Sequence, residues 1–234
     1  MAAPTPALDA ILVRHPVWRG GAPAQSVAQG VPTGFAMLDR ELPGGGWPAG
    51  ALSEILCCSE GIGELQLVLP ALVTLSRAGG RVAWLAPPYL PYAPALAATG
   101  LCLESLTVVR APGRRDALWA AEQVLRAGVC RALLAWLPRA NYAELRRLAL
   151  AAQAGPAIVA LFRPPQAAQE SSPAPLRLVL EPDGGQLAVR VFKRRGAPLA
   201  APLRIPIPRP VHAVGGALLS PSRPRSQAAR PCLV

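Results

Sequence analysis

The sequence predicts an α/β fold with a mostly parallel central sheet that is flanked by helices and ends in an antiparallel hairpin. Between residues 51 and 162, short apolar segments typical of strands alternate with segments of helical length, an order that favours a parallel sheet. Two more strand-like segments follow, separated by Pro182-Asp183-Gly184-Gly185. Asp-Gly and Gly-Gly pairs adopt the positive φ angles of a tight turn, so these two strands should form a hairpin.

The individual elements follow from the apolar runs and from the residues that end them. Gly79-Gly80 ends the first long helix, and Pro87-Pro88 ends the second strand. The polar, proline-bearing stretch 164–175 is expected to be a loop. Helices are expected at about 64–78, 91–99, 114–127 and 142–154. Strands are expected at about 51–57, 81–86, 106–110, 130–137, 157–162, 176–181 and 186–193.

Composition divides the chain into three segments. Residues 1–30 are rich in proline, glycine and alanine and are expected to form an N-terminal arm. Residues 31–210 carry the alternating pattern and are expected to form the folded domain. Residues 211–234 are proline-rich and basic, and they are expected to be a disordered tail because they offer little apolar surface to bury.

Neither a membrane segment nor a metal site is expected. No apolar run approaches the roughly 20 residues of a transmembrane helix, and the first residues lack the apolar core of a signal peptide. A cytoplasmic location is therefore expected. The cysteines show no CxxC spacing, so we interpret them as small apolar side chains and expect no bound metal.

Positive charge is concentrated towards the end of the sequence. The formal net charge is +11, and no acidic residue follows Asp183. Such a block favours binding to a polyanion or to an acidic protein surface, although a solubilising role is the alternative. Within it, an aromatic residue beside cations suits phosphate contacts and base stacking. The residues predicted to bind a partner or nucleic acid are Phe192, Lys193, Arg194, Arg195, Arg204 and Arg209.

A loop after the first strand has the layout of a phosphate-binding loop but not its functional side chains. The pattern of such a loop is Gly-x4-Gly-Lys-Ser/Thr between a strand and a helix. Here Gly61 and Gly63 provide the glycines, but Glu64 and Leu65 stand where the lysine and the hydroxyl residue belong. A carboxylate repels a triphosphate and leucine cannot ligate magnesium, so we expect no nucleotide cofactor.

The segment before this loop carries a resemblance to a known family. The residues that carry it are Thr33-Gly34, Leu38-Asp39, Gly44-Gly45-Gly46, Pro48, Gly50 and Glu54-Ile55. This run resembles the entry to the ATPase core of the RecA recombinase superfamily, and the resemblance extends over roughly 31–210. The degenerate loop and the basic C-terminus are most similar to the ImuA family, RecA-like accessory proteins of bacterial mutagenic repair cassettes that are also described as SulA-like.

This resemblance implies that further catalytic groups are missing. The catalytic glutamate of active relatives would fall near Pro88, and the Walker B aspartate would fall at Leu137 or Pro138. Phosphate binding, metal binding and water activation would each lack a side chain, and phosphoryl transfer depends on all three. The chain is therefore expected not to be an enzyme.

The resemblance also implies a function and partners. It implies a non-catalytic adaptor of SOS-induced translesion DNA synthesis, joining an ImuB-type protein to an error-prone DnaE-type DNA polymerase, with RecA as a further candidate partner. Its basic C-terminus would contact ImuB or DNA, and the protein would associate with the nucleoid after damage. One alternative is a SulA-like cell-division inhibitor that binds the tubulin-like protein FtsZ. Another is a residual RecA-like ATPase with a displaced lysine, for which Lys193 is the only lysine in the sequence.

Overall fold

A computed structural model gives the structure of the protein and describes residues 29–197 and 199–207. Nearly all of the expected N-terminal arm and the whole of the expected tail, 211–234, lie outside the described residues, as does Arg209. The three-part division of the chain therefore stays a prediction.

The described residues form one eight-stranded sheet in the order β3-β2-β4-β5-β1-β6-β7-β8. The first six strands run parallel, whereas β7 is antiparallel to both β6 and β8. The strands are β1 (Ala51–Cys57), β2 (Arg81–Leu85), β3 (Leu106–Val109), β4 (Cys130–Trp136), β5 (Ile158–Arg163), β6 (Leu176–Asp183), β7 (Gln186–Lys193) and β8 (Leu203–Pro206). The predicted α/β fold, with a mostly parallel sheet and a C-terminal antiparallel hairpin, is thus confirmed.

Five α-helices and two short 3-10 helices accompany the sheet in the described part of the chain. Within that part, none of the helices has the length and apolar character that a membrane span needs. The 3-10 helices are Leu103–Ser105 and Pro165–Gln169. The α-helices are α1 (Ala36–Glu41), α2 (Glu64–Arg77), α3 (Ala93–Ala98), α4 (Arg114–Ala127) and α5 (Tyr142–Ala152).

Among the α-helices and strands, α1 and β8 were not predicted. The two 3-10 helices were not predicted either, and Pro165–Gln169 lies in the stretch that was expected to be a loop. Helix α1 has only six residues, too few for a periodic apolar pattern to stand out. The sequence of β8 does not resemble a strand, because Pro202 precedes it and Pro206 ends it. Proline cannot donate a ladder hydrogen bond and is confined to edge strands, and β8 is an edge strand that pairs only with β7.

The core lies on both faces of the sheet. Ile55 of β1 packs in the cluster that contains the apolar residues of α2, and Leu52 packs in the cluster that contains α4 and α5. Successive strand residues point to opposite faces, and here both faces are covered. This explains why the parallel strands are apolar at nearly every position.

The glycine-rich entry segment before β1 is packed tightly against itself. Val31 and Trp47 exchange backbone hydrogen bonds of 2.9 and 2.7 Å, and the Trp47 ring is buried. A β-carbon at Gly46 would overlap the backbone of Val31, so only glycine allows this approach. The Thr33 N–H donates to Asp39 Oδ1 at 2.8 Å, which fixes the start of α1.

Candidate functional site

The degenerate loop lies at the carboxyl end of a central strand. Strand β1 ends at Cys57, and α2 begins at Glu64. The neighbours of β1 are the parallel strands β5 and β6. In open α/β sheets, ligands bind at the carboxyl ends of the strands, so the loop occupies the position of a binding site.

The Glu64 carboxylate is folded back into this loop. Its Oε1 accepts a hydrogen bond from the Gly61 N–H at 2.9 Å, and its Oε2 accepts one from the Gly63 N–H at 3.1 Å. The side chain is buried, and it sits at the N-terminus of α2, where a negative charge is favoured by the helix dipole. Backbone N–H groups in such a position can hold an external anion, but here they hold the chain's own carboxylate.

The end of the described chain covers the same loop. Gly63 has a φ of 108°, and a β-carbon at this position would overlap Cδ1 of Ile207, the residue that follows β8. Leu65, in place of a metal-binding hydroxyl, packs against the apolar cluster of α2. The Glu64 carboxylate and the apolar side chains of Leu65 and Ile207 therefore lie in or against the loop.

The two cysteines at the start of the loop differ in their environment. Cys58 is exposed, whereas Cys57 is half-buried at the end of β1. Burial raises the pKa of the Cys57 thiol to about 12, and the negative charges of Glu64 and Cys58 add to this effect. Since the thiolate is the reactive form, Cys57 behaves as a packed apolar side chain.

The two other positions matched to catalytic groups are apolar as well. Pro88 lies in the connection after β2, where it lines a cavity of about 370 Å³. Leu137 is buried, and its N–H donates to the Phe162 carbonyl at 3.2 Å. Neither residue can take up a proton or ligate a metal, so these positions cannot supply a general base or a magnesium carboxylate.

Three of the predicted basic-cluster residues are held by partners within the chain. The Arg177 guanidinium lies 4.9 Å above the half-buried Phe192 ring. Lys193 Nζ donates to the Ser172 carbonyl at 2.7 Å, and burial together with the nearby Arg177 charge lowers the Lys193 pKa. Arg194 forms an ion pair with Glu41 at 3.0 Å.

The remaining members lie apart from these. Arg195 is exposed and, with Arg194, lines a cavity of about 420 Å³. Arg204 is paired with Asp183 at 2.8 Å, near the hairpin turn and thus at the opposite end of β7 from Lys193. Among the predicted residues that the structure describes, Arg204 lies apart from Lys193, Arg194 and Arg195, and binding of the set to a partner or to nucleic acid stays a prediction.

Sequence reasoning missed a buried ion cluster beside the loop. Glu54 of β1 is fully buried; its Oε1 accepts from Arg163 Nη1 at 3.0 Å and from Ser172 Oγ at 3.1 Å. Its Oε2 accepts from Arg177 Nε at 2.5 Å. Arg177 also donates to the carbonyls of Ala167 and Glu170, so the cluster ties the 164–175 connection to the sheet. Charged residues within otherwise apolar strands were the available signal.

Known proteins resemble the part of the chain that contains the degenerate loop. Residues 50–159, just under half of the chain, match the protein family described as "Cell division inhibitor SulA". The cell division inhibitor SulA of Edwardsiella piscicida is 35% identical over 101 residues, which are 43% of this chain and 60% of that protein. The chain thus spans about three fifths of the length of this curated relative. The segment from the residue before β1 to the second residue of β5 is therefore similar to the SulA cell-division inhibitors.

Proposed function

We propose that this chain is a non-enzymatic protein-binding regulator of the SOS response, and that it inhibits cell division as a SulA-like protein by binding FtsZ. The observation that carries the proposal is the similarity of residues 50–159 to SulA cell-division inhibitors. That segment includes the loop, α2, the four strands β1 to β4 and the first two residues of β5, so it contains about half of the sheet.

The non-enzymatic part of the proposal rests on the contents of the loop. The Glu64 carboxylate already accepts the Gly61 and Gly63 N–H groups, which are the donors that a phosphate would need. A triphosphate would have to displace a buried carboxylate and would meet its charge, and Ile207 covers the loop from outside. These contacts favour a scaffold that acts through its surface.

A sedimentation assay tests the division-inhibitor proposal. Purified full-length chain is added to purified FtsZ with GTP, and the polymer that pellets is measured as the molar ratio of the two proteins rises. We expect the pelleted polymer to fall steeply as the ratio approaches one, because a binder that blocks filament growth acts on individual subunits. Unchanged polymer at a several-fold excess of the chain would reject the FtsZ proposal.

A second candidate function is the translesion-synthesis adaptor that the ImuA resemblance implies. The observation that favours it lies outside the SulA-like segment. The entry segment, with its Val31–Trp47 and Thr33–Asp39 hydrogen bonds, packs in the core, and strands β6 to β8 complete the sheet. The RecA-like resemblance begins in the entry segment and extends through the final hairpin, so these parts support a RecA-like fold over the described residues from 31 onward.

The adaptor candidate needs its own binding measurement. Immobilised full-length chain is incubated with a purified ImuB-type protein, a DnaE-type polymerase or RecA, and retention is compared with that of FtsZ. The contribution of the basic C-terminus is tested with a matched variant. A truncation near Ala188 would cut β7 and remove β8, so the variant keeps the full length. It replaces Arg223, Arg225 and Arg230 by serine. Retention of the ImuB-type protein that depends on these arginines would favour the adaptor, and retention of FtsZ by both chains would favour division inhibition.

A further inference from the structure

The connection after β2 exposes a cluster of large apolar side chains. Tyr89, Leu90 and Tyr92 are 71%, 72% and 72% exposed, within four consecutive residues. A single exposed apolar residue is common on protein surfaces, but a contiguous group marks an interaction site. This group lies inside residues 50–159, the segment similar to SulA.

The same connection forms one wall of the cavity of about 370 Å³. Pro87, Pro88 and Pro91 give this wall a backbone with few accessible conformations, so little conformational entropy is lost when a partner binds. Val108 of the edge strand β3 also lines the cavity. The cavity is therefore an open recess at the carboxyl edge of the sheet, lined by apolar residues, by Arg110 and by exposed backbone.

One charged side chain lines this recess. It is Arg110, which directly follows β3, is exposed and makes no ion pair among the described residues. On the loop side, a hydrogen bond to the Glu60 carboxylate and the charge of that group raise the pKa of Tyr89, which also lines the recess. An arginine offers a carboxylate two parallel N–H donors, and the apolar residues beside it can contact an adjacent apolar side chain.

We propose that this recess binds an acidic segment of a partner protein, which inserts an apolar side chain between the proline wall and Val108 and places a carboxylate on Arg110. The proposal rests on the proposed protein-binding function and assigns the contact surface for it. A protein segment fits better than a nucleic acid, because nucleic-acid surfaces need several cations along a backbone, and Arg110 is the single cation among the lining residues.

Synthetic peptides test the surface without any assumption about the partner. The full-length chain is titrated with acetylated ten-residue peptides in which a central Leu-Phe pair is flanked by aspartates or, as the control, by lysines. We expect the acidic peptides to bind at least about tenfold more tightly, and Arg110→Glu to reverse that preference, since a good charge-assisted contact is worth about that factor. Equal affinities for the acidic and the basic peptides would overturn the proposal. So would an oligothymidine that binds more tightly than the acidic peptides and loses its binding in Tyr89→Ala, because the surface would then bind nucleic acid.

Surface variants connect this test to the proposed function. Leu90→Ala should weaken binding of the acidic peptide and of the full-length partner alike, whereas Leu150→Ala, which removes another exposed leucine on α5, should weaken neither. If FtsZ or the ImuB-type protein binds Leu90→Ala and Arg110→Glu as tightly as the unmodified chain, the surface assignment is wrong although the function stands. If neither partner binds but the acidic peptide binds at Leu90 and Arg110, the surface stands and the proposed partners are wrong.

Discussion

Ile207 occupies the space that a side chain at Gly63 would need. Gly63 precedes α2 in the degenerate loop, whereas Ile207 follows the last strand, so the contact joins the loop after β1 to the end of the described chain. The φ of 108° at Gly63 also disfavours any other residue. Closure of the loop and docking of β8 are therefore coupled through this one contact.

Replacing Gly63 by alanine should destabilise the protein through both effects. The unfavourable backbone conformation costs roughly 1–2 kcal/mol, and overlap with Ile207 adds about 1–3 kcal/mol. Gly61→Ala is the matched control, because Gly61 also has a positive φ, 78°, but a β-carbon there would meet no atom within 4 Å. Urea unfolding of the three chains measures the difference.

A double variant separates steric overlap from backbone strain. Adding Ile207→Ala to Gly63→Ala should recover the part of the lost stability that is due to overlap and leave the part that is due to the backbone conformation. Equal losses for Gly63→Ala and Gly61→Ala would show that Ile207 does not pack on the loop in solution.

Local sequence information was sufficient for most of the sheet and insufficient for the site. Strands buried on both faces read as continuous apolar runs, so their positions could be predicted to within a few residues. Two features of the site depend on which atoms the fold brings within hydrogen-bond distance. One is the contact of the Glu64 carboxylate with Gly61 and Gly63, and the other is the ion cluster of Glu54. Adjacency in sequence likewise suggested a basic surface at 192–195, whereas Lys193 and Arg194 are held by distant parts of the chain.

Removing the Glu64 carboxylate should destabilise the loop. Glu64→Ala removes the carboxylate that accepts from the Gly61 and Gly63 N–H groups, and hydrogen bonds to a charged group contribute about 1.5–3 kcal/mol. Glu64→Gln keeps one acceptor oxygen and should lose about half as much. Glu60→Ala, which removes an exposed glutamate of the same loop, is the control, and a loss as large as that of Glu64→Ala would contradict the internal role of Glu64.

Restoring the two loop residues should not create an ATPase. The double variant Glu64→Lys, Leu65→Thr supplies the phosphate lysine and the metal hydroxyl, but Pro88 and Leu137 still provide no acidic group for water activation or magnesium binding. We expect phosphate release from ATP to stay at the level of the unmodified chain. Magnesium-dependent turnover by the double variant would show that the acidic groups lie at positions other than these two.

Neutralising Glu54 should be among the most damaging changes in the sheet. Glu54→Gln leaves the buried guanidiniums of Arg163 and Arg177 without their shared carboxylate, and breaking a buried ion pair costs about 3–5 kcal/mol. Asp183→Asn removes the exposed pair with Arg204 and should cost less than about 1 kcal/mol. Thermal unfolding distinguishes the two, and equal losses would contradict a structural role for the buried cluster.

The adjacent cysteines of the loop should react at different rates. Alkylation by iodoacetamide requires the thiolate, and the Cys57 pKa of about 12 leaves that residue almost fully protonated at pH 8, whereas Cys58 is exposed to the reagent. Two variants, each with one of the pair replaced by serine, allow the rate of the other to be followed by mass spectrometry. We expect Cys58 to be alkylated many times faster in the folded chain, and both to react at similar rates in urea.

The same raised pKa predicts the direction of a pH effect on stability. The unfolded thiol loses its proton near pH 9, whereas the folded Cys57 thiol keeps its proton up to about pH 12. The folded state therefore binds more protons in this window, so the free energy of unfolding should fall as pH rises through it and should be unaffected by Cys57 below pH 9. The Cys57→Ser variant lacks a group that titrates there, so its stability should fall less steeply between pH 9 and 10.5 than that of the unmodified chain. If the two chains lost stability equally with pH and Cys57 were alkylated rapidly at pH 8, the prediction would be wrong. The Cys57 thiol would then be open to solvent, and the loop around Glu64 would not shield it.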